Sequence, residues 1–257
     1  KRRIMDFDKA IGAVLDSGRF MKDSSFRNTA IKKGDKDFVT ACDIAIQKKI
    51  AADLKHYYPD IPLIAEEKEN EGIYADIVFI LDPLDGTTNF MHGYEPSCIS
   101  LGCVYKDEPV FGIVHDPLLN NTYIGEKKKG ASLNGQPIKV SDTFNIGEAL
   151  IACETSPYER EGADMHFDKL KKVFLASMDI RISGSAALDI CYVAQGKADA
   201  FLTRNLKPWD YCAATCILNE AGGICTDWQG NPPSMKTKSD ILASNRLLQE
   251  VLYAYIR

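Results

Sequence analysis

A chain of 257 residues, 45% of them hydrophobic and 26% charged, has the composition of a folded globular protein and excludes a collagen-like or mostly disordered one. Lys and Arg number 31 against 36 Asp and Glu, a formal net charge of −5, so no basic excess marks a nucleic-acid partner. The longest apolar runs, such as residues 77–81, fall far short of a membrane span.

The start of the chain is basic but turns acidic at Asp6, unlike a secretory signal. The eight cysteines sit mostly in apolar segments, where a thiol behaves as a small hydrophobe, and no Cys-x-x-Cys pair occurs. The four histidines lack zinc-ligand spacing. Free thiols in a cytoplasm are therefore expected, rather than disulfides or structural zinc.

In chain order, residues 7–21 and 43–57 read as helices; in the second, Ile46, Ile50 and Leu54 recur every four residues and Pro59 closes it. Short apolar runs follow at 62–65, 77–81, 99–105, 110–114 and 122–124, separated by Gly, Asn, Asp and Pro, and read as strands. Asn134-Gly135 predicts a hairpin turn between strands at 131–133 and 138–140. Beyond Asn145 the pattern alternates: strands at 149–153, 180–182, 198–202 and 241–243, helices at 167–176, 185–195, 210–221 and 246–255. This predicts a layered α+β protein in two parts, residues 1–142 and 143–257.

The densest chemical signal is Asp82-Pro83-Leu84-Asp85-Gly86-Thr87-Thr88-Asn89-Phe90, directly after the apolar run 77–81. A buried strand thus delivers two carboxylates at its carboxyl end. Gly86, Thr87 and Thr88 then turn into a helix whose first N–H groups lack intrahelical partners and can hold a phosphate. An isolated Asp-Gly would be an ordinary turn; two acids, two hydroxyls and an Asn together point to a site. Further acids stand at Glu66-Glu67, at Asp43 after Val39-Thr40, and at Asp210 in Trp209-Asp210-Tyr211. Asp43 and Asp210 also suit helix capping. Gly184-Ser185-Ala186 is a small-residue turn between strand and helix. Carboxylates with few His or Cys ligands suit Mg²⁺ or Mn²⁺.

Together these features resemble the inositol monophosphatase family. One family signature is carried by Asp82 to Phe90, the other by Trp209-Asp210-Tyr211-Cys212-Ala213-Ala214 through Gly222-Gly223. The resemblance implies an alternating α/β/α/β/α fold, a homodimer, lithium sensitivity and a Mg²⁺-dependent phosphomonoesterase. It implies that Glu66, Asp82 and the Leu84 carbonyl bind one Mg²⁺, that Asp82, Asp85 and Asp210 bind a second, and that a third, weaker ion lies near Glu66. Thr87, polarised by Asp43, would position or deprotonate the attacking water. Leu84, Asp85 and Asp210 would border the substrate, the Gly86 and Thr87 amides would hold its phosphate, and Gly184, Ser185 and Ala186 would touch its alcohol.

The chain departs from the family pattern at Ala65, where a Gly often precedes the two glutamates, and at Thr203, where animal members carry a Glu that contacts an inositol hydroxyl. Lys32 and Lys33 both fit the motif lysine upstream of Asp37. With Arg204 beside Thr203, a broad substrate range is expected: inositol monophosphate, with fructose bisphosphate or NADP as rival substrates. A scaffold or regulatory partner that keeps the fold is the alternative of another class. A glycosidase with paired carboxylates would leave Thr87, Thr88 and two of the four acids unexplained.

Overall fold

The computed structural model describes residues 5–34, 37–67, 75–157 and 159–257, with the side chains of residues 28, 33, 34 and 37 left aside. Lys33 and Asp37 of the motif reading thus lie outside the described side chains. The helices are α1 (Asp8–Lys22), α2 (Ala41–Tyr57), α3 (Thr87–His92), α4 (Ala163–Ala176), α5 (Ala186–Ala194), α6 (Pro208–Glu220) and α7 (Gln249–Ile256). The strands are β1 (Ile31–Gly34), β2 (Asp37–Val39), β3 (Leu63–Ala65), β4 (Ile77–Asp85), β5 (Cys98–Tyr105), β6 (Glu108–Asp116) and β7 (Asn121–Glu126). They continue as β8 (Gly130–Leu133), β9 (Gln136–Pro137), β10 (Leu150–Cys153), β11 (Asp179–Arg181), β12 (Ala200–Leu206), β13 (Ile224–Thr226) and β14 (Ser239–Ser244).

Strands β3 to β9 form a seven-stranded sheet in sequence order, antiparallel except for the parallel pair β3–β4. Side chains alternate across a strand, and here both faces are covered. Phe79, Leu81, Leu101, Cys103, Phe111 and Ile113 pack with Val14 of α1 and Ile46, Ile50 and Leu54 of α2. Val78, Ile80, Val104, Val114 and Tyr123, on the opposite face, pack with α5 and α6. A strand buried on both faces reads as a continuous apolar run, which is how residues 77–81 appear in the sequence.

The second sheet has five strands in the order β11-β10-β12-β14-β13, with β11, β10 and β12 parallel. Its Phe201, Ile241 and Ala243 face α5 and α6. On its other face Ile151, Cys153, Leu202 and Leu242 pack with Leu170 and Val173 of α4 and Leu252 and Ile256 of α7. The result is the five-layer α/β/α/β/α order. Helix α6 lies so close to the first sheet that a Cβ on Gly112 would come 2.1 Å from the Ala213 carbonyl. That contact sets the height at which the helix start, with Asp210, meets the strand ends.

One hairpin ends differently from its expectation. Asn134 and Gly135 both take positive φ, 49° and 78°, as the turn requires. The returning strand, however, is Gln136–Pro137, and residues 138–140 are not a strand. Pro137 has no N–H to continue the ladder, and Val140 N instead donates to the Ala221 carbonyl at 3.1 Å. No helix among the described residues is long and apolar enough to cross a membrane.

Candidate active site

The expected acids gather at the carboxyl ends of β3 and β4. Ala65 pairs with Leu81 in parallel register, and Glu66 N donates to the Leu81 carbonyl at 3.2 Å, so Glu66 emerges beside Asp82. Against β5, strand β4 slips register between Asp82 and Asp85. Such a bulge re-aims side chains, and here both carboxylates remain at the same strand end. Asp82 Oδ1 accepts from Leu84 N at 2.9 Å, which fixes its carboxyl plane.

Asp43 and Asp210 both cap helices and remain available for chemistry. Asp43 is the third residue of α2; its Oδ2 accepts from Thr40 N at 2.8 Å and from the Thr40 hydroxyl. Its Oδ1 faces the Thr87 hydroxyl at 3.3 Å. Asp210 occupies the matching position in α6, where its Oδ2 accepts from Lys207 N at 2.7 Å. One oxygen holds the helix start in each case.

Gly86 turns the chain into α3 with φ +87° and ψ 36°, a left-handed conformation that glycine adopts without a Cβ penalty. Asn89 Nδ2 donates to the carbonyls of Pro96 at 2.7 Å and Ser183 at 2.8 Å. This ties α3 to the turn before α5 and brings Gly184 against Gly86. Asp85 reaches the same turn: its Oδ2 accepts from Ser185 Oγ at 2.6 Å and from Ala187 N at 2.8 Å.

Two expected contacts are placed differently. Ser185 is fully buried, with its hydroxyl bound to Asp85, so it lies behind the wall rather than on it. Thr203 is also fully buried, 3.3 Å from Ser156 Oγ. A register shift after Thr203 and a positive φ of 56° at Asn205 carry the chain outward, so that Arg204 and Asn205 line the cleft instead. A short β-branched side chain prefers the sheet interior, where its hydroxyl finds a neighbour.

The cleft has a volume of about 480 Å³, within the range of small-molecule sites. Glu66, Asp85, Gly86, Thr87, Gly184, Ala186 and Asp210 line it, joined by Glu154, Ser156, Arg204, Lys207 and Lys238. Glu154 was missed in the sequence, although it too is an acid directly after a strand. Ser156, held at φ +50°, donates to the Arg204 carbonyl at 3.0 Å and so links the two strand ends at the mouth.

Electrostatically the site is a strained array of acids. Burial, followed by the charges of Glu66 and Asp85, raises the carboxyls of Asp82 and Asp210 well above the usual range. Burial pushes Asp85 up to about 6 against its hydrogen bonds from Ser185 and Ala187, and pushes Asp43 up to about 6 against those from Thr40. Among the described residues no three His, Cys, Asp or Glu side chains already form a cation cage. The mutual repulsion nonetheless calls for positive charge, and a donor set of carboxylate and carbonyl oxygens is what hard divalent cations take. The residues fit such an ion.

Comparison with known proteins gives the same direction. The model of the inositol monophosphatase family matches residues 4–257. The chain is similar to inositol monophosphatase 2 of Saccharomyces cerevisiae, with 41% identity over 209 residues, 75% of this chain and 72% of that one. It is 36% identical over 227 residues to the fructose-1,6-bisphosphatase/inositol-1-monophosphatase of Thermotoga maritima, covering 88% and 85% of the two chains. Among solved structures, the extragenic suppressor protein suhB of Bartonella henselae superposes with a TM-score of 0.91 at 29% identity, over 98% of each chain.

Proposed function

Because the chain belongs to the inositol monophosphatase family and is a phosphatase, we propose that it hydrolyses inositol monophosphate with Mg²⁺ and also accepts a substrate with a second anionic group, a sugar bisphosphate or NADP. The observation that carries the reading is a set of four acids, Glu66, Asp85 and Asp210 lining one end of the cleft and Asp82 buried in their field, with Arg204, Lys207 and Lys238 among the other cleft residues. In this reading Glu66, Asp82 and the Leu84 carbonyl hold one Mg²⁺, Asp82, Asp85 and Asp210 a second, and Glu66 a third, weaker ion. Mn²⁺ can replace Mg²⁺, and lithium inhibits. When bound, these ions neutralise the acids, polarise the phosphoryl oxygens and make water nucleophilic at neutral pH.

The chain's own groups do the positioning. The Thr87 hydroxyl has one proton, which it can give to Asp43 Oδ1 at 3.3 Å or to the Leu84 carbonyl at 2.9 Å. Giving it to Asp43 leaves the lone pairs of Thr87 to accept from the attacking water, which is thereby oriented and eased of its proton. The Gly86 and Thr87 amides hold the phosphate, Gly184 and Ala186 border the alcohol, and Ser185 locks Asp85. Thr203 acts on the mouth through Ser156.

Half-exposed apolar side chains on α4, among them Phe167, Phe174 and Leu175 at 72% exposure, favour a homodimer with this face covered. The eight free, buried thiols favour a cytoplasmic setting. A scaffold would have no use for four acids held in one another's field. A panel of phosphate esters, assayed with and without Mg²⁺, tests the reading. Release from inositol monophosphate and from fructose bisphosphate or NADP, within tenfold in kcat/KM and abolished by chelation, is expected. Release from none would favour the scaffold.

A further inference from the structure

We propose that Glu154 is a specificity-determining residue whose carboxyl receives hydroxyl groups of the substrate alcohol, so that the cleft selects polyol phosphates. The proposal rests on the phosphomonoesterase reading above and adds the residue that reads the alcohol. Glu154 directly follows β10, and its backbone is held from two sides. Its N–H donates to the Leu202 carbonyl at 3.4 Å. Its carbonyl accepts from Nε2 of the buried His166, whose ring stacks on Trp228 with centroids 6.3 Å apart. A residue so anchored presents its side chain in a set place.

That side chain lines the cleft with Gly184, Ala186 and Asp210. Its Oε1 is shielded from solvent and has no hydrogen-bond partner among the described residues. The contacts of the cleft's basic side chains are with groups other than Glu154: Lys238 with Glu159, Arg204 with the Gly162 carbonyl at 2.8 Å, and Lys207 over the Trp209 ring at 4.7 Å. The acids around it are Asp189 of α5, itself 1% exposed with an unpartnered Oδ2, and then Asp85 and Asp210. Glu154 itself disfavours an anion beside it, so a second phosphate would sit by Arg204, Lys207 or Lys238 and leave Glu154 to the rest of the alcohol. An acceptor placed among acids and apolar groups is not a phosphate site. It suits a neutral O–H donor, and a carboxyl accepts such a bond in either protonation state.

Position strengthens the argument. Cys153 of β10 pairs with Leu202 of β12, so Glu154 comes beside Thr203. The acceptor that Thr203 does not offer to the cleft is thus supplied one strand over. A hydroxyl-bearing alcohol satisfies Glu154, whereas a hydroxyl-free ring leaves a buried acceptor unpaired, which penalises binding by about 10–100-fold.

The test compares inositol monophosphate with cyclohexyl phosphate, the same ring without hydroxyls, on the Mg²⁺-loaded enzyme and on Glu154→Leu and Glu154→Gln. The ratio of kcat/KM for the two esters is expected to favour the polyol in the unmodified enzyme. It should fall about 10–100-fold in Glu154→Leu, mainly through KM, and recover largely in Glu154→Gln, whose amide oxygen still accepts. An unchanged ratio in Glu154→Leu, or equal losses in both variants, would overturn the proposal. Should Glu154→Leu fail to fold, less than threefold preference for the polyol in the unmodified enzyme would overturn it as well. Turnover of neither ester by the unmodified enzyme would overturn the phosphomonoesterase reading and this proposal with it.

Discussion

Replacing Gly86 by Ala perturbs the site at its most constrained backbone position. At φ +87°, an L-residue is disfavoured by about 1–2 kcal/mol. The new Cβ would lie 2.8 Å from the Pro96 carbonyl oxygen and 3.3 Å from that of Gly184, so backbone must move. The Pro96 carbonyl is also the acceptor for Asn89 Nδ2 at 2.7 Å, and losing that bond costs about 0.5–1.5 kcal/mol more. A loss of about 2–4 kcal/mol follows, or about 4–8 °C in Tm for a chain of this size. Displacing the Gly86 and Thr87 amides should lower kcat about 10²-fold, the effect of misplacing a reacting group by an ångström. Thermal melting and steady-state phosphate release measure both. Gly135→Ala is the control, since Gly135 also has positive φ but a Cβ there meets nothing within 4 Å. It should lose about 1–2 kcal/mol and no kcat. If Gly86→Ala matched Gly135→Ala in both assays, the crowding argument would be refuted.

Other substitutions separate function from stability. Asp82→Asn should abolish phosphate release, by at least roughly 10²–10³-fold, yet raise the Tm of chelated protein, because it removes a buried charge faced by Glu66, Asp85 and Asp210; a lower Tm would count against the repulsion. Thr87→Ala should lower kcat by about 10²–10⁴-fold while Mg²⁺ binding by calorimetry survives; intact kcat would leave Thr87 and Asp43 as capping groups. Burial raises the Asp189 carboxyl to about 8 from 3.8. The folded state therefore binds the extra proton between about pH 4 and 8, and stability falls as pH rises through that window. Asp189→Asn should remove this slope, a gain on the order of a few kcal/mol at pH 8, and denaturant midpoints that tracked the unmodified protein across the window would refute it.

What the sequence made legible follows from how the acids are packaged. Asp82 and Asp85 announce themselves because they interrupt a run buried on both faces, where an unpaired charge has no structural reason to be. Asp43 and Asp210 were open to two readings, capping or chemistry, and each does the first with one carboxylate oxygen while Asp43 turns the other to Thr87. Glu154 was not legible: it stands alone, and only the parallel pairing of β10 and β12 brings it into the cleft. Ser185 and Thr203 are expected on the wall, but both are fully buried, the first with its hydroxyl on Asp85 and the second with its hydroxyl on the cleft residue Ser156. The short strands β1 and β2 carry no strand signal in the sequence, because Lys, Gly and Asp there show no alternation. Helices α5 and α6, packed between two sheets, are buried over most of their surface and so show apolar residues on more than one face instead of a single stripe.

Titrating Mg²⁺ into thoroughly chelated protein, with phosphate release from inositol monophosphate and Tm read on the same samples, tests the central claim most directly. If Glu66, Asp82, Asp85 and Asp210 form a cation-requiring array, activity should be absent at the start and should rise together with Tm, because the ions bind the folded state and relieve its repulsion. Asp82→Asn should show neither rise. Full turnover in the chelated protein, or a Tm indifferent to Mg²⁺ at concentrations that saturate activity, would contradict the account.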